Sequence, residues 1–243
     1  MPTAYDELTG ALDRQLATMV SWLKFVDDEL DNYSERQSSL DGWNIRQLVV
    51  HIGASMDALL VAEPVPAGTV PLSLAEYLGT YPNRAQEIED GAVERAQKLT
   101  TPLLEFVSSQ HHKVQAKLAD LGNHPALVMQ GKRGPITLRD LVVSRLIEAV
   151  VHSLDLVKSL RGDVDMSAGK SPLDKGALNI VAQELLDIVV TRGGYSLEVS
   201  KPELWISLAT GRTAYNTDEL TAALAPKFTA GGVPDLGTSL PLL

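Results

Sequence analysis

Residues 144–156, SRLIEAVVHSLDL, restrict the fold more than any other stretch of the chain. Leu146, Ile147, Val150, Val151 and Leu154 cover most directions of a helix, and such a segment is buried nearly all round. Yet Arg145, Glu148, His152 and Asp155 recur at i, i+3, i+7 and i+10, which places four polar groups on one stripe of that helix. An unpaired carboxylate or imidazole among aliphatic side chains is costly to desolvate. The stripe therefore needs ion-pair partners, a metal or a wet cavity.

The rest of the chain supplies neighbours for such a helix. Leu8, Leu12, Leu16, Met19, Leu23 and Val26 step by three and four, which predicts an amphipathic helix over about residues 5–32. WNIRQL starts a second: Asn44 caps it with Gln47 at N3, Trp43 can staple to Leu48, and it is expected to run to about Ala62. Pro64, Pro66, Gly68 and Pro71 enforce a connection, and a third helical region spans roughly 73–121 with breaks near Pro82 and Pro102. ITLRDL opens the fourth, with Thr137 capping onto Asp140, and carries the polar stripe to about Leu160. Four such helices predict a bundle.

After RGDVDMSAGKSP the pattern changes, so the boundary is drawn near Asp165, with a four-helix bundle over 1–165 and a small α+β unit over 166–243. In the second unit a helix is expected over about 173–191, ended by Gly193 and Gly194, and YSLEVS and ELWISL read as short strands. From Gly231 onward the sequence has no periodicity and reads as an irregular tail or a segment laid over the rest.

Charge and composition exclude several functions. A net charge of −10, with no basic run to reverse it locally, argues against nucleic-acid and membrane partners. The absence of cysteine removes disulfides, a thiolate nucleophile and Cys-ligated zinc; any thiol must come from outside. The N-terminus carries acids where a signal peptide would be basic and then apolar, and no apolar run has the length of a membrane span, so a cytoplasmic protein is expected.

A His four residues from a carboxylate occurs about once by chance in such a chain, since i and i+4 share a helical face. Asp120 and His124 have the same spacing as Glu148 and His152, but Gly122 and Pro125 oppose a helix there. Glu148 and His152 lie mid-helix, and His51, two turns after the Asn44 cap, faces the bundle interior beside Leu48, Ile52 and Ser55. Together the three would give N and O ligands with an open position, the arrangement of catalytic zinc. The competing reading is a buried network pairing Arg145 with Glu148 and His152 with Asp155. His111 and His112, adjacent and so on different helix faces, read as surface residues or a cap.

DGWNIRQLVVHI and SRLIEAVVHSLDL together resemble the actinobacterial mycothiol-dependent maleylpyruvate isomerase family. The resemblance implies a DinB-like bundle in which His51, Glu148 and His152 bind a divalent metal, with zinc expected. ELWISLATGR is similar to the family's small C-terminal α+β domain, a sterol-carrier-like module, with Arg212 at its Gly-Arg motif. A thiol entering the open position of such a metal would lose its proton near neutral pH, which fits an external cofactor such as mycothiol. Arg145 and Asp155 would orient ligands or bind an anionic group, and Arg212 would be a catalytic grip on an acidic substrate. The activity implied is isomerisation or S-transfer on a small, electrophilic, anionic substrate. A non-catalytic metal- or ligand-binding protein of the same fold is the rival.

Overall fold

A computed structural model describes residues 3–166, 170–228 and 231–243. The long first helix, α1 (Tyr5–Tyr33), buries Leu8, Leu12, Leu16, Met19, Leu23 and Val26, the residues whose spacing predicted it. Helix α2 (Ile45–Ser55) starts at a complete capping box in which the Asn44 side chain accepts from the Gln47 N–H and Gln47 reaches back to the Asn44 N–H. Such a cap contributes about 1 kcal/mol. It ends at Met56, and a single turn, α3 (Asp57–Leu60), replaces the expected continuation to Ala62.

The third helical region divides at the two prolines. Its parts are α4 (Leu74–Leu78), a 3₁₀ turn (Pro82–Arg84), α5 (Ala85–Lys98) and α6 (Leu103–Leu121). Helix α7 (Leu138–Ser159) follows, with the Thr137 side chain accepting from the Asp140 N–H. Helices α1 and α2 each pack against both α6 and α7, which closes a four-helix ring, and α5 leans on the outside of α2.

A small sheet was not foreseen from the sequence. Strands β1 (Glu63–Pro64), β2 (Val128–Gly131) and β3 (Gly134–Thr137) pair antiparallel in that order. The β2–β3 register sets Gly131 opposite Gly134, leaving Lys132 and Arg133 as a two-residue turn, and Gly134 takes a φ of 127° that favours glycine.

Beyond α7, helix α8 (Lys175–Gly193) is capped by Asp174 and stops at Gly194 in the left-handed region. Strand β4 (Leu197–Val199) lies within YSLEVS and pairs with β5 (Leu224–Pro226). ELWISL is not a strand: it lies in α9 (Pro202–Ala209), and α10 (Thr217–Ala223) follows. Pro202 pre-sets the first helical turn, while Trp205, Ile206, Leu208 and Ala209 are buried at one-, three- and four-residue steps, a helical face. Trp205 is fully buried and its indole donates to the Ala182 carbonyl at 2.9 Å, locking α9 on α8.

The molecule is thus mainly helical, a helical bundle with a small α+β region. Apolar side chains of α1 and α7 continue without a break into those of α8, α9 and α10, while Trp22, Leu30, Trp43, Leu48 and Val107 form a second cluster at the other end of α1. Gln15, fully buried on α1, ties the two parts together. It donates to Ser153 Oγ and the Pro172 carbonyl and accepts from the Asp174 N–H. Part of the expected linker, residues 167–169, lies outside the described residues. Residues 231–243 are irregular and laid over α9, with Leu236 and Leu242 buried and the Leu242 N–H on the Ala209 carbonyl. No helix among the described residues is long and apolar enough to cross a membrane.

Candidate metal centre

Helix α7 is buried along almost its whole length, including Arg145, Glu148, His152 and Asp155, at 2–7% exposure. The polar stripe therefore sits inside the protein. From α2, His51 Nε2 lies 3.4 Å from Glu148 Oε2, and His152 Nε2 lies 3.3 Å from the same oxygen. Ligand atoms of all three residues lie within 4.8 Å of one another. Tetrahedral zinc with bonds of about 2.0–2.1 Å needs ligand atoms about 3.3–3.4 Å apart, so two of the three spacings already suit such an ion.

The donor chemistry fits as well. His152 Nδ1 sits 3.0 Å from Asp155 Oδ2; with the proton on Nδ1, the Nε2 lone pair faces Glu148. Burial alone would raise the Glu148 pKa, but the contacts with His152 and His51 and the charge of Arg145 hold it well below the usual range. Burial lowers His51, with the Glu148 contact opposing. For His152 burial also acts downward, but Asp155 and Glu148 outweigh it and the pKa is raised. A carboxylate flanked by two imidazoles, one of them stabilised as a cation, is a place where positive charge is favoured, whether a proton or a metal ion supplies it.

The other expected residues converge here. Arg212, in the turn after α9, crosses to α7: its Nη2 is 3.4 Å from Asp155 Oδ2 and its Nη1 donates to the Thr210 carbonyl at 3.0 Å. Its Nε is buried without a hydrogen-bond partner among the described residues. Arg145 is held by its own set of acceptors, Ser144 Oγ, the Ser55 carbonyl at 2.8 Å and the Tyr81 hydroxyl at 2.9 Å, with Glu148 Oε1 at 4.0 Å. Asp155 is ionised below its ordinary range because the His152 and Arg212 contacts outweigh its burial.

A cavity of about 340 Å³ opens on this group, with Trp43, His51, Glu148, His152, Arg212 and Leu243 in its walls. The Trp43 ring stands 4.6 Å from that of His51 and 5.8 Å from that of His152, so its role is larger than a staple on the next helix turn. Its place one residue before the cap, eight before His51, was a usable signal. Tyr81 was missed. Burial and then the Glu148 charge push its hydroxyl upward, so it stays protonated. Its only sequence signal was an aromatic residue just before a helix-breaking proline. His111 is no surface residue: it is buried on α6 with Nε2 2.7 Å from Asp13 Oδ1, a pairing between residues far apart in sequence. Neither His111 nor His112 belongs to the group formed by His51, Glu148 and His152.

No curated protein matches the chain. Two crystal structures align over 96% of this chain and 95% of theirs, each with a TM-score of 0.53. One is a mycothiol-dependent maleylpyruvate isomerase, at 14% identity, and the other a histidine-to-alanine mutant of such an enzyme, at 15%. At these identities the likeness carries the fold. The family model of the mycothiol maleylpyruvate isomerase N-terminal domain matches residues 11–157, which span α1 through nearly all of α7 and so contain His51, Glu148 and His152. A match over more than half of the chain, together with that fold, places this protein in the mycothiol maleylpyruvate isomerase family.

Proposed function

We propose that the protein is a metal-dependent isomerase or S-transferase that uses a small external thiol, mycothiol or a close chemical relative, on a small anionic electrophile. His51, Glu148 and His152 would hold the metal, with zinc the ion best matched to two imidazoles and one carboxylate. Metal and thiol together would supply a thiolate nucleophile near neutral pH, chemistry that a chain without cysteine cannot supply itself.

The remaining residues have roles that follow from their contacts. Asp155 fixes the His152 ring by holding Nδ1. Arg145 braces Glu148 from the opposite side of the stripe and holds Tyr81 in place. Trp43, Ile147 and Val151 give the cavity beside the site an apolar wall. Arg212 offers a charged fork on the cavity wall, suited to a substrate carboxylate. In this reading residues 1–165 form the metal-bearing bundle, 166–243 the α+β unit that brings Arg212, and the setting is the cytoplasm.

The observation that carries the proposal is the meeting of three ligand atoms within 4.8 Å, both imidazole nitrogens 3.3–3.4 Å from Glu148 Oε2, with a cation from a distant part of the chain on the same cavity. The test is turnover of a cis-unsaturated keto acid by the zinc-loaded full-length protein, with and without mycothiol. Thiol-dependent turnover is expected, and its absence with metal and thiol both bound would contradict an enzymatic role.

A further inference from the structure

A second cavity, about 240 Å³, lies on the other side of His51 and Glu148. Its walls carry Arg84, Arg95, Lys132, Arg133 and Arg145 against only two acids, Glu87 and Glu148, in a protein whose net charge is −10. Three of these cations are already engaged. Arg84 pairs with Glu87, Arg95 with Asp57, and Arg145 gives its N–H groups to Ser144, Ser55 and Tyr81. Lys132 and Arg133 form no ion pair among the described residues, their charges acting on Glu87 only at longer range, and Arg133 Nε is buried with no hydrogen-bond partner among those residues.

Arg133 is nevertheless held in place. Its guanidinium lies 3.6 Å over the centre of the Tyr81 ring and 5.3 Å from that of Tyr77. The hairpin that presents it is pressed close: a Cβ on Gly131 would come within 2.9 Å of the Tyr77 hydroxyl oxygen. Stacking occupies the face of a guanidinium and leaves its N–H edge free, and that edge is the part that grips a carboxylate in two parallel hydrogen bonds. Tyr81 in turn is fixed by Arg145, the neighbour of Glu148 on the stripe.

We propose that this cavity is an anion subsite, separate from the one formed by Arg212, in which Arg133 grips a carboxylate of the electrophilic substrate with Lys132 at the rim. It rests on the reading of His51, Glu148 and His152 as the reacting centre, because His51 and Glu148 line both cavities and stand between them. Arg133 is then a specificity-determining residue, favouring substrates with a carboxylate on the side of the centre remote from Arg212. Arg145 and Tyr81 are positioning residues, the one fixing the ring on which Arg133 lies and the other supplying it.

The test is calorimetric binding to the full-length protein, zinc-loaded and metal-free, of maleate, N-acetylcysteine and N-acetylcysteine methyl ester, with wild type, Arg133→Met and Arg133→Lys. Arg133→Met should weaken maleate about 10- to 100-fold, the loss expected for a charge-assisted pair, with zinc content and melting temperature unchanged. Arg133→Lys should recover only part of it. The ester should bind as in wild type. Loss confined to N-acetylcysteine would assign the subsite to a thiol's carboxylate and overturn the substrate assignment. Wild-type maleate binding in Arg133→Met would overturn the subsite itself. A wild-type protein that binds no zinc would sink the metal reading alone, since the metal-free series still reports on Arg133.

Discussion

Arg212 and Asp155 meet at 3.4 Å although 57 residues separate them in sequence, and the oxygen they share also lies against His152 Nδ1. Through this carboxylate the C-terminal part of the chain is coupled to a candidate metal ligand. Asp155→Asn keeps the shape and removes the charge. It should weaken zinc affinity about 10- to 100-fold, as loss of a group orienting a ligand histidine does, while helix content holds. Competition against a chromophoric chelator measures this; unchanged affinity with lowered thermal stability would make the contact an ordinary ion pair.

Arg212→Lys retains the charge and loses the fork. Thiol-dependent turnover should fall at least about tenfold, with zinc content and thiol binding as in wild type. Steady-state kinetics beside metal analysis of the same preparations separates the two effects.

Trp205 is fully buried between α9 and α8, and its indole hydrogen bond is satisfied. Trp205→Ala should cost about 3–5 kcal/mol of stability in chemical denaturation. Because the apolar core runs from α1 and α7 into α8 and α9, the loss should appear in one transition that includes the metal-bearing helices.

The Asp13 carboxyl makes two 2.7 Å contacts, with His111 and Gln115. Burial acts to raise its pKa, but these contacts outweigh it and the pKa is lowered. A lowered carboxylate pKa gives stability that is present above the unfolded value of about 3.9 and is lost as pH falls through the folded value. Asp13→Asn should therefore melt lower than wild type at neutral pH and converge with it as the pH drops below about 4. Because Asp13 is half exposed, the neutral-pH difference should be at most about 2 °C by calorimetry.

Much of this was legible where local rules act. Asn44 and Thr137 cap helices with the partners their spacing indicated, and the i, i+3, i+7, i+10 stripe on α7 is buried as an all-round apolar helix requires. His51 was placed by its distance from a cap. What escaped depends on contacts between distant segments. β2 and β3 are four residues each and interrupted by Gly131, Gly134 and Pro135, too short to stand out by alternation. ELWISL alternates like a strand over six residues, and only the burial of Trp205, Ile206, Leu208 and Ala209 against α8 shows the helical period. Tyr81 and Arg133 acquire meaning only when the hairpin folds onto the turn before α5, and His111 only when α6 meets Asp13 on α1.

The most direct measurement is metal stoichiometry in the purified full-length protein after zinc reconstitution, beside His51→Ala, Glu148→Gln and His152→Ala. Wild type should hold one zinc ion per chain, and each variant should lose most of it while its far-UV circular dichroism stays close to wild type. Wild-type protein without zinc, or His51→Ala with full stoichiometry, would contradict a His51, Glu148, His152 metal centre.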